Sequence, residues 1–257
     1  MAFDWSQKVV LITGASSGIG RALAVELGRR GAATALLARR AEKLREIVAE
    51  VEASGTSALA LPADVRDAEA VRAAAGQALG RWGRIDVLIA NAGMGSTLNV
   101  TDFRAAEAAE VIIVNTIGAI NSVAAALPGM IGRGAGHLVA ISSLAAFRGL
   151  PKSGHYSASK AALSTFFESL RVDLRNTGIY VTTIHPGFIK TPMTAPRKER
   201  MPFLLEVEDA ARRIIHAIEA HRRTYAFPWQ LALVVRLLAL MPDVLYDHLM
   251  ARVSYRE

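Results

Sequence analysis

Tyr156 and Lys160 stand four residues apart in Tyr156-Ser157-Ala158-Ser159-Lys160, thirteen residues after Ser143. Hydride reduction of a ketone leaves an alkoxide that needs a proton. A tyrosine phenol can supply it, but its unperturbed pKa of about 10 is too high for efficient exchange near neutral pH. A nearby ammonium favours the phenolate and lowers that value. On a helix, positions i and i+4 share a face, so this spacing sets the Lys160 ammonium beside the Tyr156 phenol. There it can also hold ribose hydroxyls of a cofactor. Such a pair also occurs on ordinary amphipathic helices, so its surroundings decide. Ser142 and Ser143 end an apolar run. A hydroxyl at that tip can donate to the carbonyl oxygen that Tyr156 also serves, and two donors stabilise charge developing on oxygen. Either serine can occupy the tip. Asn115 interrupts an apolar helical stretch. It reads as a satisfied core amide or as the holder of a water that relays protons to Lys160.

A second constellation lies near the N-terminus. Thr13-Gly14-Ala15-Ser16-Ser17-Gly18-Ile19-Gly20 follows the apolar run 9–13 and precedes a helical period. Glycines there let the backbone turn tightly and approach a pyrophosphate, whose charge the helix N-terminus offsets. Three residues separate the first two glycines, unlike G-x-G-x-x-G, and no Gly-Lys-Ser/Thr follows as in a triphosphate loop. A bare strand–helix turn is the alternative. At the end of the next strand an acid would hold a ribose 2′-hydroxyl. This chain has Ala38-Arg39-Arg40 instead. Arginine makes bidentate, charge-assisted contacts to phosphate, so NADP(H) is expected over NAD(H); solvated arginines opening a helix are the alternative. Asp64, with the Val65 backbone beside it, can accept from an adenine amino group or cap a helix. Asn91-Ala92-Gly93 makes a small polar turn that lets a ribose lie against the backbone.

These residues need elements to carry them. Strand-like runs fall at 9–13, 33–38, 58–61, 85–90, 137–141 and 181–184, with a short seventh at 225–227. Helical periods begin after Gly20 and fill 41–53, 67–82, about 103–132 and about 155–177, and a helical region ends the chain. Strands apolar throughout are covered on both faces, and their alternation with helices predicts a doubly wound parallel α/β sheet in one domain over 1–257. The stretch 111–131 is long enough for a membrane span, but Asn115, Gly118, Asn121, Pro128 and Gly129 point to a buried helix. The stretch 227–249 is broken by Arg236, Pro242, Asp243 and Asp247. It fits an oligomer contact, a cover over the site or a membrane-surface segment.

Composition bounds the rest. The chain has 257 residues and no cysteine, which excludes disulfides, thiolate catalysis and cysteine zinc sites and suits a reducing cytoplasm. No metal site is expected. The start, Met1 to Lys8, lacks a basic region followed by an apolar core, so no signal peptide is expected. The net charge of +7 is scattered, with local clusters at Arg39, Arg40, Lys43, Arg45 and at Arg197, Lys198, Arg200 around Glu199. A solvated surface with a phosphate subsite accounts for it, and no nucleic-acid partner is expected.

Taken as a set, the motifs identify a resemblance. The chain resembles a short-chain dehydrogenase/reductase of the roughly 250-residue type over about residues 6–190, through the glycine motif at 14–20, Asn91-Ala92-Gly93, Asn115, Ser143, Tyr156, Lys160, Pro186-Gly187 and Thr191. The resemblance implies a Rossmann-type domain with a seven-stranded parallel sheet, NAD(P)(H) and an Asn115–Ser143–Tyr156–Lys160 proton relay with Tyr156 as acid/base. It implies Ser143 rather than Ser142, and a nicotinamide carboxamide met by the Ile189 backbone and Thr191 near Pro186-Gly187. It also implies a homodimer or homotetramer formed through the helices at about 107–132 and 155–177. Ala90 stands where such proteins often have a first asparagine, and the apolar extension over about 228–257 is longer than in compact relatives.

The expected activity is NADP(H)-dependent interconversion of a ketone or aldehyde and an alcohol. The loops 94–100, 144–155 and 188–206 should face the substrate. Met94, Leu144, Phe147, Leu150, Met193, Met201 and Phe203 make them apolar, which suits an apolar small-molecule substrate or simple packing. Two other readings are an idle dinucleotide-binding redox sensor and a membrane-surface reductase of lipid ketones. Turnover of a carbonyl panel separates the first, and liposome flotation the second.

Overall fold

The computed structural model describes residues 3–195 and 201–254. Arg197, Lys198, Glu199 and Arg200 of the second basic cluster lie outside the described residues, as does part of the 188–206 loop. The first half of the chain builds β1 (Val9–Thr13), α1 (Gly18–Arg29), β2 (Ala33–Ala38), α2 (Ala41–Glu52), β3 (Ala58–Pro62), α3 (Ala68–Trp82), β4 (Val87–Ala90), α4 (Ala105–Ile112) and α5 (Gly118–Arg133). The second half builds β5 (Gly136–Ile141), α6 (Gly154–Asp173), β6 (Ile179–Pro186), α7 (Val207–Glu219), β7 (Thr224–Phe227), α8 (Trp229–Leu240) and α9 (Asp243–Ser254).

The strands form one parallel sheet in the order β3-β2-β1-β4-β5-β6-β7. Its order reverses between β1 and β4, and the crevice outside the carboxyl ends of those strands is where open α/β sheets take ligands. Side-chain alternation sorts the core into two layers. Val10, Ile12, Leu36, Ile89, Val139 and Ile184 pack with α1, α2 and α7. Leu11, Leu37, Leu88, Leu138 and Val181 pack with α3, α5 and α6. Each fully buried leucine or isoleucine here contributes roughly 1.5–3 kcal/mol by leaving water. Ala105–Arg133 is long and apolar enough, by length and composition, to cross a membrane. In the fold its Ala119, Val123, Ala126 and Met130 belong to the second core layer.

Several boundaries differ from the sequence expectation. β6 runs Ile179–Pro186 rather than 181–184. Its ends were hidden by exposed Tyr180 on one side and by His185, a polar residue that is buried here, on the other. β4 starts at Val87, because the Asp86 carboxylate takes the Val9 amide at 2.9 Å and leads the strand in. The helix expected at 103–132 is three pieces: α4, a π-helical turn over Ile113–Ile117, and α5. The helix expected at 155–177 ends at Asp173. The terminal helical region is split, because Pro242 forces Met241 into an extended conformation (ψ 136°).

Candidate active site

The glycine turn joins β1 to α1. Gly14 and Gly18 have φ of 66° and 54°, the left-handed region that favours glycine. Space is equally restrictive: a Cβ at Gly14 would lie 2.7 Å from Ala92 Cα, and one at Gly20 would lie 2.4 Å from the Gly14 carbonyl oxygen. Two polar residues brace this approach. The Asn91 Nδ2 donates to the Thr13 and Gly14 carbonyls at 2.9 and 3.3 Å. The Asn91 and Ala92 amides donate to Thr13 Oγ1 at 3.1 and 3.0 Å. Ser17 makes no side-chain cap bond to α1. Ile19 lies in the first turn of α1 and packs on the core.

The basic pair after β2 divides its work. Arg40 donates to Ser16 Oγ at 2.9 Å and to Ser17 Oγ at 2.9 Å, so it stands directly over the glycine turn. Arg39 is two-thirds exposed, with Nη1 3.9 Å from an Asp64 carboxylate oxygen. Asp64 accepts from Arg66 Nη2 at 2.7 Å, and this bond, reinforced by the Arg66 and Arg39 charges, holds its carboxyl below the ordinary value. The cap reading of Asp64 is not what the fold uses: Asp67 caps α3, taking the Glu69 and Ala70 amides at 3.0 Å. The Val65 carbonyl accepts from Asn121 at 2.8 Å. A cavity of about 290 Å³ opens beside Ser16, Ser17 and Gly18, with Arg21, Lys43 and Pro192 on its walls. It lies at the glycine-turn end of the crevice, and Tyr156 and Lys160 are not among its lining residues.

Tyr156 and Lys160 lie on the first turns of α6. Lys160 is buried, donates to the Ile141 carbonyl at 2.8 Å, and holds Nζ 5.9 Å from the Tyr156 ring centroid. Burial pushes its pKa down to about 8. The tip of β5 places the two serines differently. Ser142 is buried, donates to the Lys160 carbonyl at 3.0 Å and meets Ser164 Oγ at 2.7 Å. Ser143 is half-buried, caps a short turn over Leu144–Ala146 and accepts from the Ala145 amide at 3.1 Å.

Asn115 sits in the π-helical turn, fully buried. Such single-turn widenings often occur at functional sites. Its Oδ1 accepts from the Met94 amide at 2.8 Å, and its Nδ2 donates to the Met94 carbonyl and to Ser159 Oγ, both at 2.9 Å. The amide thus pins the 94–100 loop to α6. A Cβ at Gly93 would lie 3.2 Å from Asn115 Oδ1 and 3.4 Å from Lys160 Nζ, so both groups face that glycine. The loop closes on the tyrosine as well: a Cβ at Gly95 would lie 3.3 Å from the Tyr156 ring and 3.7 Å from the Met193 sulfur.

Beyond β6, the Gly187 amide donates to the Phe227 carbonyl at 2.8 Å, and Leu231 and Leu144 crowd the Gly187 Cα. Pro186 ends the strand. Ile189 is buried and bridges to Leu205. Thr194 Oγ1 donates to the Ile189 carbonyl at 2.7 Å and receives the Thr191 amide at 3.0 Å. A Cβ at Gly18 would sit 3.3 Å from Thr191 Cγ2, which brings the two ends of the crevice together. Sequence reading passed over Thr13, Ser159, Ser164 and Thr194. For Thr13 a signal existed, a hydroxyl at the last position of a buried strand. The others depend on partners set by the tertiary fold.

With this geometry in hand, the similarities to other proteins are specific. Residues 8–202 match the family model described as short chain dehydrogenase. An uncharacterised oxidoreductase of Myxococcus xanthus is 43% identical over 248 residues, covering 95% of this chain and 96% of that protein. A short-chain dehydrogenase/reductase from Burkholderia phymatum, solved in complex with NAD, superposes with a TM-score of 0.84 at 29% identity, over 91% of this chain and 94% of that one. An alcohol dehydrogenase from Thermococcus sibiricus, complexed with 5-hydroxy-NADP, gives 0.77 at 29% identity, over 86% and 94%.

Proposed function

The chain belongs to the short chain dehydrogenase family and is an NAD(P)-dependent oxidoreductase, and on that premise we propose that it interconverts a ketone or aldehyde and the corresponding alcohol with NADP(H). The observation that carries the reading is the buried Lys160 ammonium held 5.9 Å over the Tyr156 ring, at the same sheet edge as a glycine turn too tight for side chains. The donor set fits the cofactor. Gly14, Gly18, Ile19 and Gly20 would receive the pyrophosphate at the α1 N-terminus. Arg39, Arg40, Ser16 and Ser17 would hold a 2′-phosphate, and Asp64 with Val65 the adenine. Asn91, Ala92 and Gly93 would flank a ribose that Lys160 grips. Pro186, Gly187, Ile189 and Thr191 would frame the carboxamide. When bound, the nicotinamide supplies or accepts the hydride.

The chain's own residues handle the proton. Tyr156 donates it to the oxygen that becomes the alcohol, and Lys160 lowers the phenol pKa through its charge. Ser143 donates a second hydrogen bond to the same oxygen. Asn115 holds the 94–100 loop against α6, and its Oδ1, facing Gly93 alongside Lys160 Nζ, supports a proton path toward that ammonium. The apolar side chains Leu144, Phe147 and Met193 favour an apolar substrate. Exposed Ile112, Ile113 and Ile117 on the long central helix favour a homodimer or homotetramer. An idle redox sensor finds no support in the family membership.

The test is oxidation of NADPH and NADH, followed by absorbance, with acetophenone, cyclohexanone and octanal. Turnover should favour NADPH. Arg39→Ala should raise the KM for NADPH by one to two decades and leave that for NADH nearly unchanged, since a charge-assisted bond contributes roughly 1.5–3 kcal/mol. Equal effects on both cofactors would remove Arg39 from 2′-phosphate recognition.

A further inference from the structure

The C-terminal helix pair, α8 and α9, touches the connection between Ser143 and Tyr156. Arg148 lies five residues after Ser143, in the connection that leads to Tyr156. Its Nη1 donates to the carbonyls of Ala239 and Met241 at 3.1 and 2.8 Å, at the carboxyl end of α8. Its Nη2 donates to Asp243 Oδ1 at 2.7 Å, in the first turn of α9. The guanidinium also lies 4.2 Å from the Tyr246 ring centroid, and the Tyr246 hydroxyl donates to the Gly149 carbonyl. One side chain therefore reads both helices and the bend between them. A cation suits the unpaired carbonyls and the negative end of a helix.

The hold is not a surface ion pair. The Arg148 side chain is 17% exposed and that of Asp243 is 91% exposed. Water screens the carboxylate contact, so the two carbonyls and the aromatic stack carry the attachment. Farther along, Leu231 of α8 packs on Gly187 beside Leu144, which follows Ser143 directly. The loop's far end has its own ties: the Leu150 amide donates to Ser157 Oγ at 3.3 Å, and the Leu98 amide to the Lys152 carbonyl at 2.9 Å. Arg148 and Gly149 complete the set by fastening its middle to α8 and α9.

We propose that α8 and α9 act as a brace for the Ser143–Tyr156 connection, with Arg148 and Tyr246 as positioning residues. The inference rests on the carbonyl-reductase reading above. Ser143 and Tyr156 must donate to one oxygen, and a misplacement of about 1 Å can lower a rate about a hundredfold. Loosening the brace misaligns the two donors and leaves the glycine turn, on the other side of the sheet's switch point, in place. Arg148→Ala should therefore lower kcat about ten- to a hundredfold, with the Kd for NADPH within about twofold of wild type. Arg148→Lys should recover part of the loss, because a point charge can keep one carbonyl but not the fork and the stack. Tyr246→Phe, which keeps the ring and drops the bond to Gly149, is the milder variant should Arg148→Ala fail to fold, and its kcat should also fall.

The experiment measures kcat, KM and NADPH affinity for full-length wild type and the three variants, well below their melting temperatures, with whichever of acetophenone, cyclohexanone and octanal the wild type reduces fastest. A lowered melting temperature with kcat unchanged would make the contact merely structural and overturn the brace. Loss of NADPH affinity in step with kcat would overturn it too. A wild type that binds NADPH and reduces none of the three would overturn the reductase reading and the brace with it. An active wild type matched by Arg148→Ala would sink the brace alone.

Discussion

Lys160 holds an ammonium where the fold would prefer none. Burial lowers its pKa from 10.5 to about 8. The folded chain therefore binds fewer protons than the unfolded chain between those values. The penalty is present in full below about pH 8 and fades as the pH rises toward 10.5, and it amounts to about 3 kcal/mol. Lys160→Met should be more stable than wild type at neutral pH without cofactor, and urea midpoints should show the gap narrowing above pH 8. A gap that ignores pH would mean that the folded lysine titrates like a free one. A stability sacrifice at one position is the usual mark of a working site. The Tyr156–Lys160 pair was legible in sequence because helical spacing alone brings i and i+4 together. Arg148 was not legible, because its partners Ala239, Met241 and Asp243 lie more than ninety positions away and only the fold brings them near.

The elements show the same division. Five of the seven strands were readable as apolar runs within a residue of their ends, because a parallel sheet buried on both faces demands them. β6 was clipped at both ends, since exposed Tyr180 breaks the apolar run at its start and His185 near its end is held by a tertiary contact that no periodicity reveals, its Nε2 meeting Ser164 Oγ at 3.2 Å. The π-helical turn that aims Asn115 at Met94 was invisible for the same reason. β5 carries His137 at its second position, whose Nε2 meets Thr182 Oγ1 at 2.8 Å and whose pKa burial pushes down to about 3, with the His221 charge adding to the effect. Unfolded histidine takes up a proton near pH 6.5, and the folded one does not until about pH 3. Stability should thus fall on acidification through that window, by up to about 1.4 kcal/mol per pH unit for this group. His137→Gln should flatten the fall in denaturation midpoint between pH 6.5 and 4, and an unchanged slope would assign the acid sensitivity to other groups.

For the whole molecule, the sheet order brings the loops of the candidate site to one edge. The glycine turn after β1, Asn91-Ala92-Gly93 after β4, Ser143 after β5 and Gly187 after β6 all emerge there. The opposite problem is the apolar surface. Ile113 and Ile117 are one turn apart on the long central helix and each about two-fifths exposed. Light scattering should therefore find two or four chains per particle, and Ile113→Glu with Ile117→Glu should release single chains, whereas a monomeric wild type would contradict this reading. The proposed reaction depends on the proton supplied by Tyr156. The decisive measurement is single-turnover NADPH oxidation by Tyr156→Phe beside wild type, with cofactor affinity read by fluorescence on the same samples. Turnover should be nearly abolished and affinity should stay close to wild type. A variant that still reduces the carbonyl at the wild-type rate would contradict it.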